Sequence, residues 1–125
     1  MFKDKTSAAI VAVSDLERAR TFYGETLGLD EGDAGDDGVT GFRTGDSWLT
    51  VYVSDAAGSN RANAVAWSGG ADVEAIADEL RERGVTFEEY PEIGMDIERG
   101  VHRSGDFRGI WFKDPDGNIL HVNSM

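Results

Sequence analysis

The sequence predicts an α+β fold built from a weak internal repeat. Short runs rich in β-branched residues predict strands, and two amphipathic segments, each preceded by a capping residue and followed by glycine, predict helices. The same order of strand, helix and further strands occurs before and after a polar connector at Ser54 to Arg61. We therefore expect two modules, about 1–54 and 62–125, within a single domain of 125 residues.

The first module begins with a predicted strand and helix. Ala8 to Val13 is short, apolar and β-branched, which favours a buried strand. Ser14 and Glu17 follow with the spacing of a capping box, in which each side chain accepts from the other residue's backbone N–H. Apolar residues then recur at helical spacing as far as Gly28, which predicts the end of the helix there.

A hairpin completes this module. Glu31 to Gly38 is rich in Asp and Gly and predicts a loop. Val39 to Thr44 and Ser47 to Val53 predict two strands joined by a tight turn at Gly45-Asp46. Alternation along the second strand puts three side chains on one face: Trp48, Thr50 and Tyr52.

The second module repeats the pattern with a longer connection. Ala62 to Ser68 predicts a strand, and Asp72 is placed to cap a helix that Gly84 ends. Val85 to Tyr90 predicts another strand. It contains Glu88 and Glu89, adjacent strand positions that point to opposite faces and are expected to be surface acids, although one of them could face a cavity.

The chain ends in a predicted loop and hairpin. Pro91 to Asp106 is rich in glycine and charge, so we expect a long loop in which His102 is exposed. Phe107 to Phe112 and Asn118 to Asn123 predict the last hairpin, whose turn at Asp114-Pro-Asp-Gly has proline and glycine where a tight turn needs them. Two such half-sheets, each with one helix-free face, can enclose a ligand cavity.

Charge and composition exclude several functions. The formal net charge is −12, from 24 acidic and 12 basic side chains, and a field of this sign disfavours both nucleic acids and anionic membranes. The acid is spread along the chain, so it indicates either adaptation to salt or simply a soluble acidic protein. No cysteine is present, which rules out disulfides and thiolate chemistry. The polar N-terminus and short apolar runs predict a cytoplasmic location.

Taken together, four segments resemble the vicinal oxygen chelate superfamily, which holds glyoxalases, bleomycin-resistance proteins and extradiol dioxygenases. The resemblance implies paired βαβββ modules, a curved mixed sheet around a cavity and a homodimer. The segments are Val13 to Ala19 with Phe22-Tyr23 and Leu27 to Leu29, Ala64 to Trp67 before Asp72 to Ala75, Gly84 to Tyr90, and Trp111 to Asn118.

The resemblance also implies where a metal would bind. Metal-dependent members supply one ligand from the first and one from the last strand of each module, typically His or Glu. Those positions here fall on Ala8, about Thr50, Ala64 and His121. Two alanines cannot bind a metal, and one imidazole with a neutral hydroxyl is too few donors for a stable site. The sequence therefore predicts no metal and no cofactor.

We expect instead a small organic ligand in an aromatic-lined cavity. His121 is either a hydrogen-bonded strand residue or a ligand-contacting acid or base. Two alternatives remain: sequestration of a bleomycin-type antibiotic, and lyase, isomerase or dioxygenase chemistry of the glyoxalase kind at an atypical site. The cavity candidates are Trp48, Thr50, Tyr52, Trp67, Trp111 and His121.

Overall fold

The computed structural model describes residues 1–32 and 38–125. The chain divides into two compact units, 1–57 and 58–125, and this division lies inside the connector at Ser54 to Arg61. The α+β class and the tandem modules predicted from the sequence are confirmed. No helix in the described part of the chain is long and apolar enough to cross a membrane.

Unit 1 is a four-stranded mixed sheet with one helix. Strand β1 runs parallel to β4, and the strand order is β1-β4-β3-β2. The predicted hairpin is confirmed, because β3 and β4 have the expected bounds. The elements are β1 (Ala9–Val13), α1 (Leu16–Arg20) continued by a π-helical turn (Thr21–Thr26), β2 (Asp30–Glu31), β3 (Val39–Thr44) and β4 (Ser47–Val53).

The helix of unit 1 starts one residue later than the predicted capping box implies. Asp15, in extended conformation, is the N-cap, and its side chain accepts a hydrogen bond from the Arg18 N–H at 3.1 Å. Ser14 Oγ instead accepts from the guanidinium of Arg18 at 2.9 Å. Gly28 has φ 74°, so the predicted left-handed end of this segment is confirmed.

The core of unit 1 lies between this helix and one face of the sheet. Tyr23 is fully buried and packs against Phe22 and Phe42 with ring centroids 5.1 and 5.9 Å apart. On the same side of the sheet, alternate residues of β1 and β4 are buried because the strand period is two. These residues are Val11, Val13, Leu49 and Val51. The predicted loop at Glu31 to Gly38 lies mostly outside the described residues.

Unit 2 has the same strand order with one hairpin added. Its strands β5, β10, β9 and β6 neighbour one another as β1, β4, β3 and β2 do in unit 1. The additional hairpin, β7–β8, pairs with the first half of β9. The elements are β5 (Asn63–Ser68), α2 (Val73–Glu82), β6 (Phe87–Glu88), β7 (Asp96–Glu98), β8 (Val101–Ser104), β9 (Phe107–Lys113) and β10 (Ile119–Asn123), with 3-10 turns at Gly70–Asp72 and Pro91–Ile93.

The predicted long loop at Pro91 to Asp106 is wrong. Most of this segment forms a 3-10 turn and the β7–β8 hairpin. The strands are only three and four residues long, and polar side chains dominate them, so no hydrophobic alternation marked them in the sequence. Backbone pairing with β9 stabilises the β7–β8 hairpin, which the strand propensity of its own residues would not.

The turn between β9 and β10 is organised by a buried carboxylate. Asp114 is 4% exposed, and its Oδ1 accepts from the backbone N–H groups of Asp116 and Asn118 at 3.0 and 2.9 Å. Its Oδ2 accepts from Asn118 Nδ2 at 2.8 Å, and Gly117 has φ 91°. Part of the last of the four segments that resemble the superfamily is therefore a structural turn between the last two strands.

Candidate ligand-binding faces

Unit 1 presents one face of its sheet away from its core. Leu49 and Val51 are fully buried, whereas the alternate residues of β4 form the opposite face, as predicted. Register places β1 and β3 side chains beside them, since Thr50 pairs with Ile10 and Tyr52 with Val39. Ile10 is 62% and Val39 is 40% exposed. We call the face formed by Ile10, Val39, Trp48, Thr50 and Tyr52 the open face.

Trp48 is exposed on the open face and yet held in place. Its side chain is 43% exposed, but the ring lies against two glycines, since a Cβ at Gly32 would be 2.8 Å and one at Gly41 3.5 Å from ring atoms. The Arg43 guanidinium lies 5.8 Å from the ring centroid. A rigid, accessible indole of this kind can stack on a planar ligand without losing much side-chain entropy on binding.

In unit 2 the register separates two of the predicted site residues. His121 pairs with Trp111 and with Ala66, so these side chains share one face of the sheet. Trp67 pairs with Val122, and its side chain therefore lies on the other face, which α2 covers. The structure thus brings Trp111 and His121 together and places Trp67 apart from them.

Four rings form a cluster on the face that carries His121. Trp111 is 8% exposed and stacks on His121, with centroids 4.2 Å apart and planes inclined by 19°. His102 and Tyr90 meet the same indole edge-on, at 4.8 and 5.5 Å. We call Tyr90, His102, Trp111 and His121 the ring cluster. It holds both histidines of the chain.

His102 is not the exposed loop residue that the sequence predicted. It belongs to β8 and is fully buried. Its Nε2 accepts from the backbone N–H of Tyr90 at 3.0 Å, and because a backbone N–H can only donate, Nε2 carries no proton. Nδ1 then donates to the Gly100 carbonyl at 3.1 Å. His102 is therefore a neutral imidazole that ties β8 to the segment after β6.

The hydrogen bonds of His121 fix the same neutral form. Asn123 Oδ1 accepts from the Met125 N–H at 3.0 Å, which turns its amide Nδ2 toward His121 Nε2 at 3.2 Å. Nε2 accepts this bond, and Nδ1 donates to the Ile110 carbonyl at 3.0 Å. Burial lowers the pKa of His121, although the hydrogen bond to the Ile110 carbonyl acts in the opposite direction. Both ring nitrogens are thus engaged within the protein.

An ion pair between Glu88 and Lys113 borders the ring cluster. Glu88 pairs with Trp111 in register, is half-buried, and binds Lys113 Nζ at 3.1 Å, whereas Glu89 is exposed. Burial raises the pKa of the Tyr90 hydroxyl, and the Glu88 carboxylate adds to this shift. The sequence left open which of Glu88 and Glu89 would face a cavity, and the β6–β9 register places Glu88 on the face that carries the cluster.

The donor set does not fit a metal. Ala8 and Ala64 lack donor atoms, Thr50 offers a neutral hydroxyl, and His121 uses both nitrogens in internal hydrogen bonds. Within 1–32 and 38–125, no group of three or more His, Cys, Asp or Glu side chains is arranged to hold a metal ion.

The strand order of both units and their sequence motifs define a glyoxalase-type fold. A sequence profile of the Glyoxalase/Bleomycin resistance protein/Dioxygenase superfamily matches residues 6–122, and the chain belongs to this superfamily. The predicted superfamily is thereby confirmed. No protein of curated function matches the sequence significantly.

Solved structures agree with this assignment. A glyoxalase/bleomycin resistance protein from Streptomyces sp. CB03234 is 27% identical, with a TM-score of 0.68 over 94% of this chain and 99% of that one. The fosfomycin resistance protein FosX from Mesorhizobium loti is 19% identical, with a TM-score of 0.70 over 100% and 94%. Lactoylglutathione lyase from Agrobacterium tumefaciens is 16% identical, with a TM-score of 0.71 over 96% and 92%. The last two show the fold alone.

Proposed function

We propose that this protein binds a small organic ligand without a metal, and that the open face of unit 1 supplies the contact surface. The observation that carries the proposal is the exposed, glycine-backed indole of Trp48 beside Ile10 and Val39. An apolar surface with a few polar groups is typical of ligand sites. Here the hydroxyls of Thr50 and Tyr52, both half-buried on the same face, supply the polar contacts.

The chemistry of the open face favours a planar, largely apolar ligand. Trp48 offers a ring face for stacking, and the two hydroxyls both donate and accept hydrogen bonds. Two charged residues share this face at its edge, since Asp30 pairs with Arg43 and Arg43 pairs with Trp48. The ring face and the two hydroxyls support binding of such a ligand, and the fully hydrogen-bonded His121 at a metal-binding position supports binding without a metal.

The test compares Trp48, on the open face of unit 1, with Trp67, on the helix-covered face of unit 2. Trp48→Ala should weaken binding of uncharged bicyclic aromatic compounds by about tenfold or more, the loss expected for removing a stacking aromatic anchor. Trp67→Phe, on the face covered by α2, is the matched control and should leave affinity unchanged. Calorimetry on protein purified without chelators, with titrations of nickel, manganese, iron and zinc, completes the experiment. Tight stoichiometric metal binding, or unchanged affinity in Trp48→Ala, overturns the proposal.

A second candidate is sequestration of a bleomycin-type antibiotic. The 27% identical structure is a glyoxalase/bleomycin resistance protein, and a net charge of −12 would attract a cationic drug. Expression in a sensitive host should then raise resistance, and the purified protein should show a thermal shift with the drug. Failure of both measurements removes this candidate and leaves the first untouched.

We also propose a homodimer, as the resemblance to the superfamily implies, and a cytoplasmic location. Analytical ultracentrifugation should give about twice the chain mass of 13.6 kDa. A monomer at micromolar concentration contradicts the dimer.

A further inference from the structure

Unit 2 contains a cleft on the side of its sheet that α2 covers. A cleft of about 210 Å³ lies between α2 and the β7–β8 hairpin. Val101 and Arg103 line it and alternate with His102, so the cleft is on the opposite side of the sheet from the ring cluster. Its charged lining consists of three arginines and three acids: Arg81, Arg99, Arg103, Glu74, Asp78 and Glu98.

Two of the arginines are held in position by carboxylates. Arg81 donates to Asp78 Oδ1 at 2.8 Å and to the Arg99 carbonyl, and its guanidinium lies 5.1 Å from the Phe87 ring centroid. Arg103 donates to Glu98 Oε2 at 3.2 Å and to Glu74 across the cleft. One guanidinium is therefore shared between two carboxylates, which leaves an excess negative charge at this end of the cleft.

Arg99 supplies the opposite excess charge. Its backbone has φ 52°, and the next residue, Gly100, has φ 84°, so these two residues form the type I′ turn between Glu98 and Val101. This turn prefers Asn or Gly at its first position, yet an arginine occupies it, and this exposed residue lines the cleft. Among the described residues, no carboxylate lies within ion-pair distance of Arg99.

We propose that this cleft binds a small zwitterion, a free α-amino acid. Arg99 would bind the carboxylate through paired N–H groups, and the excess carboxylate of Glu74 and Glu98 would bind the ammonium group. A volume of about 210 Å³ is that of about seven waters, which suits a small molecule. A zwitterion also enters without net repulsion from the charge of −12, whereas a simple anion is repelled.

The test compares free amino acids with derivatives that lack either the ammonium or the carboxylate group. Calorimetry uses L-serine, L-valine and L-glutamine at up to millimolar concentration, each beside its N-acetyl derivative, which lacks the ammonium, and its amide, which lacks the carboxylate. At least one free amino acid should bind saturably, and both derivatives should bind at least about tenfold more weakly, since each loses a charge-assisted hydrogen-bonded contact.

Two variants locate the binding. Arg99→Asn suits the turn and removes the guanidinium, so it should fold and lose at least about tenfold in affinity. Arg61→Asn makes the same charge change at an exposed position outside the cleft and should bind as the parent does. Amide shifts of Gly100 and Val101 on addition of the amino acid report the site. Absence of saturable binding, equal binding of a derivative, or an Arg99→Asn variant with full affinity overturns the proposal.

Discussion

The two units share one strand order, but the sheet face opposite the helix differs between them. Both have a parallel pair of first and last strands followed by the antiparallel strands in the same order. In unit 1 that face is apolar and exposed around Trp48. In unit 2 the corresponding face carries the ring cluster, and the ring nitrogens of both its histidines are hydrogen-bonded within the protein.

The difference shows that strand topology does not decide where a ligand can bind. The last strands β4 and β10 occupy equivalent places, but Thr50 lies half-buried beside Ile10, whereas His121 is stacked and doubly hydrogen-bonded. A group whose bonds are satisfied internally must break them to bind a ligand, at a cost comparable to that of an unsatisfied buried group. Unit 1 therefore offers contact surface, and the ring cluster of unit 2 provides rigidity.

The largest expected effect follows from truncating one tryptophan in each unit. Trp111→Ala empties the centre of the ring cluster and should lower the free energy of unfolding by about 3–5 kcal/mol. Trp48→Ala removes an exposed ring and should cost less than about 1 kcal/mol. Urea denaturation measures both. Equal losses would contradict the distinction between a buried cluster and an open face.

Removal of a buried imidazole should have the next largest effect. His102→Phe fills similar space but leaves the Tyr90 N–H and the Gly100 carbonyl without their side-chain partner, at about 1–3 kcal/mol for each group. Tyr52→Phe in unit 1 removes a half-buried hydroxyl and is expected to cost less than about 1 kcal/mol. Thermal denaturation compares the two. A His102→Phe variant as stable as the parent would show that these bonds contribute little.

The two units should also respond to pH in different ranges. The pKa of His121 is lowered in the folded state, chiefly by burial, so the unfolded chain binds more protons and stability falls as pH drops below about 6.5. Hydrogen bonds from Thr40 and Arg20 lower the pKa of Glu31 in unit 1. The stability that Glu31 contributes to the folded state is therefore lost only below about pH 4.3. Denaturation against pH with His121→Phe and Glu31→Gln should flatten the curve in the first and second range respectively, and the opposite assignment would refute the prediction.

The smallest effect concerns the hairpin turns. Unit 1 has Gly45 at φ 55°, where an added Cβ would meet no atom within 4 Å, whereas unit 2 has Arg99 at φ 52°. Because a left-handed conformation costs most side chains about 1 kcal/mol, Arg99→Asn should stabilise and Gly45→Arg destabilise the protein by up to that amount. Chemical denaturation resolves the two shifts. Changes of the same sign in both variants would show that the turn conformation is not their cause.

Local patterns predicted the elements that local chemistry controls. The β3–β4 hairpin, the Gly28 helix end and the Asp114 to Gly117 turn each follow from residues adjacent in sequence, and each is confirmed. The predictions failed where pairing between strands decides the structure and local sequence patterns do not. The β7–β8 hairpin has little hydrophobic alternation of its own, and His102 is buried because β8 pairs with β9.

By itself the sequence determined the superfamily, the α+β class, the tandem modules and the absence of metal donors at Ala8 and Ala64. These depend on residue identity and short-range spacing. Tertiary structure alone decided that Trp67 lies on the other face from His121, that His102 and His121 are neutral and engaged, and that three arginines converge beside α2. The physical reason is register: pairing between strands far apart in sequence sets which side chains share a face and which polar atoms find partners.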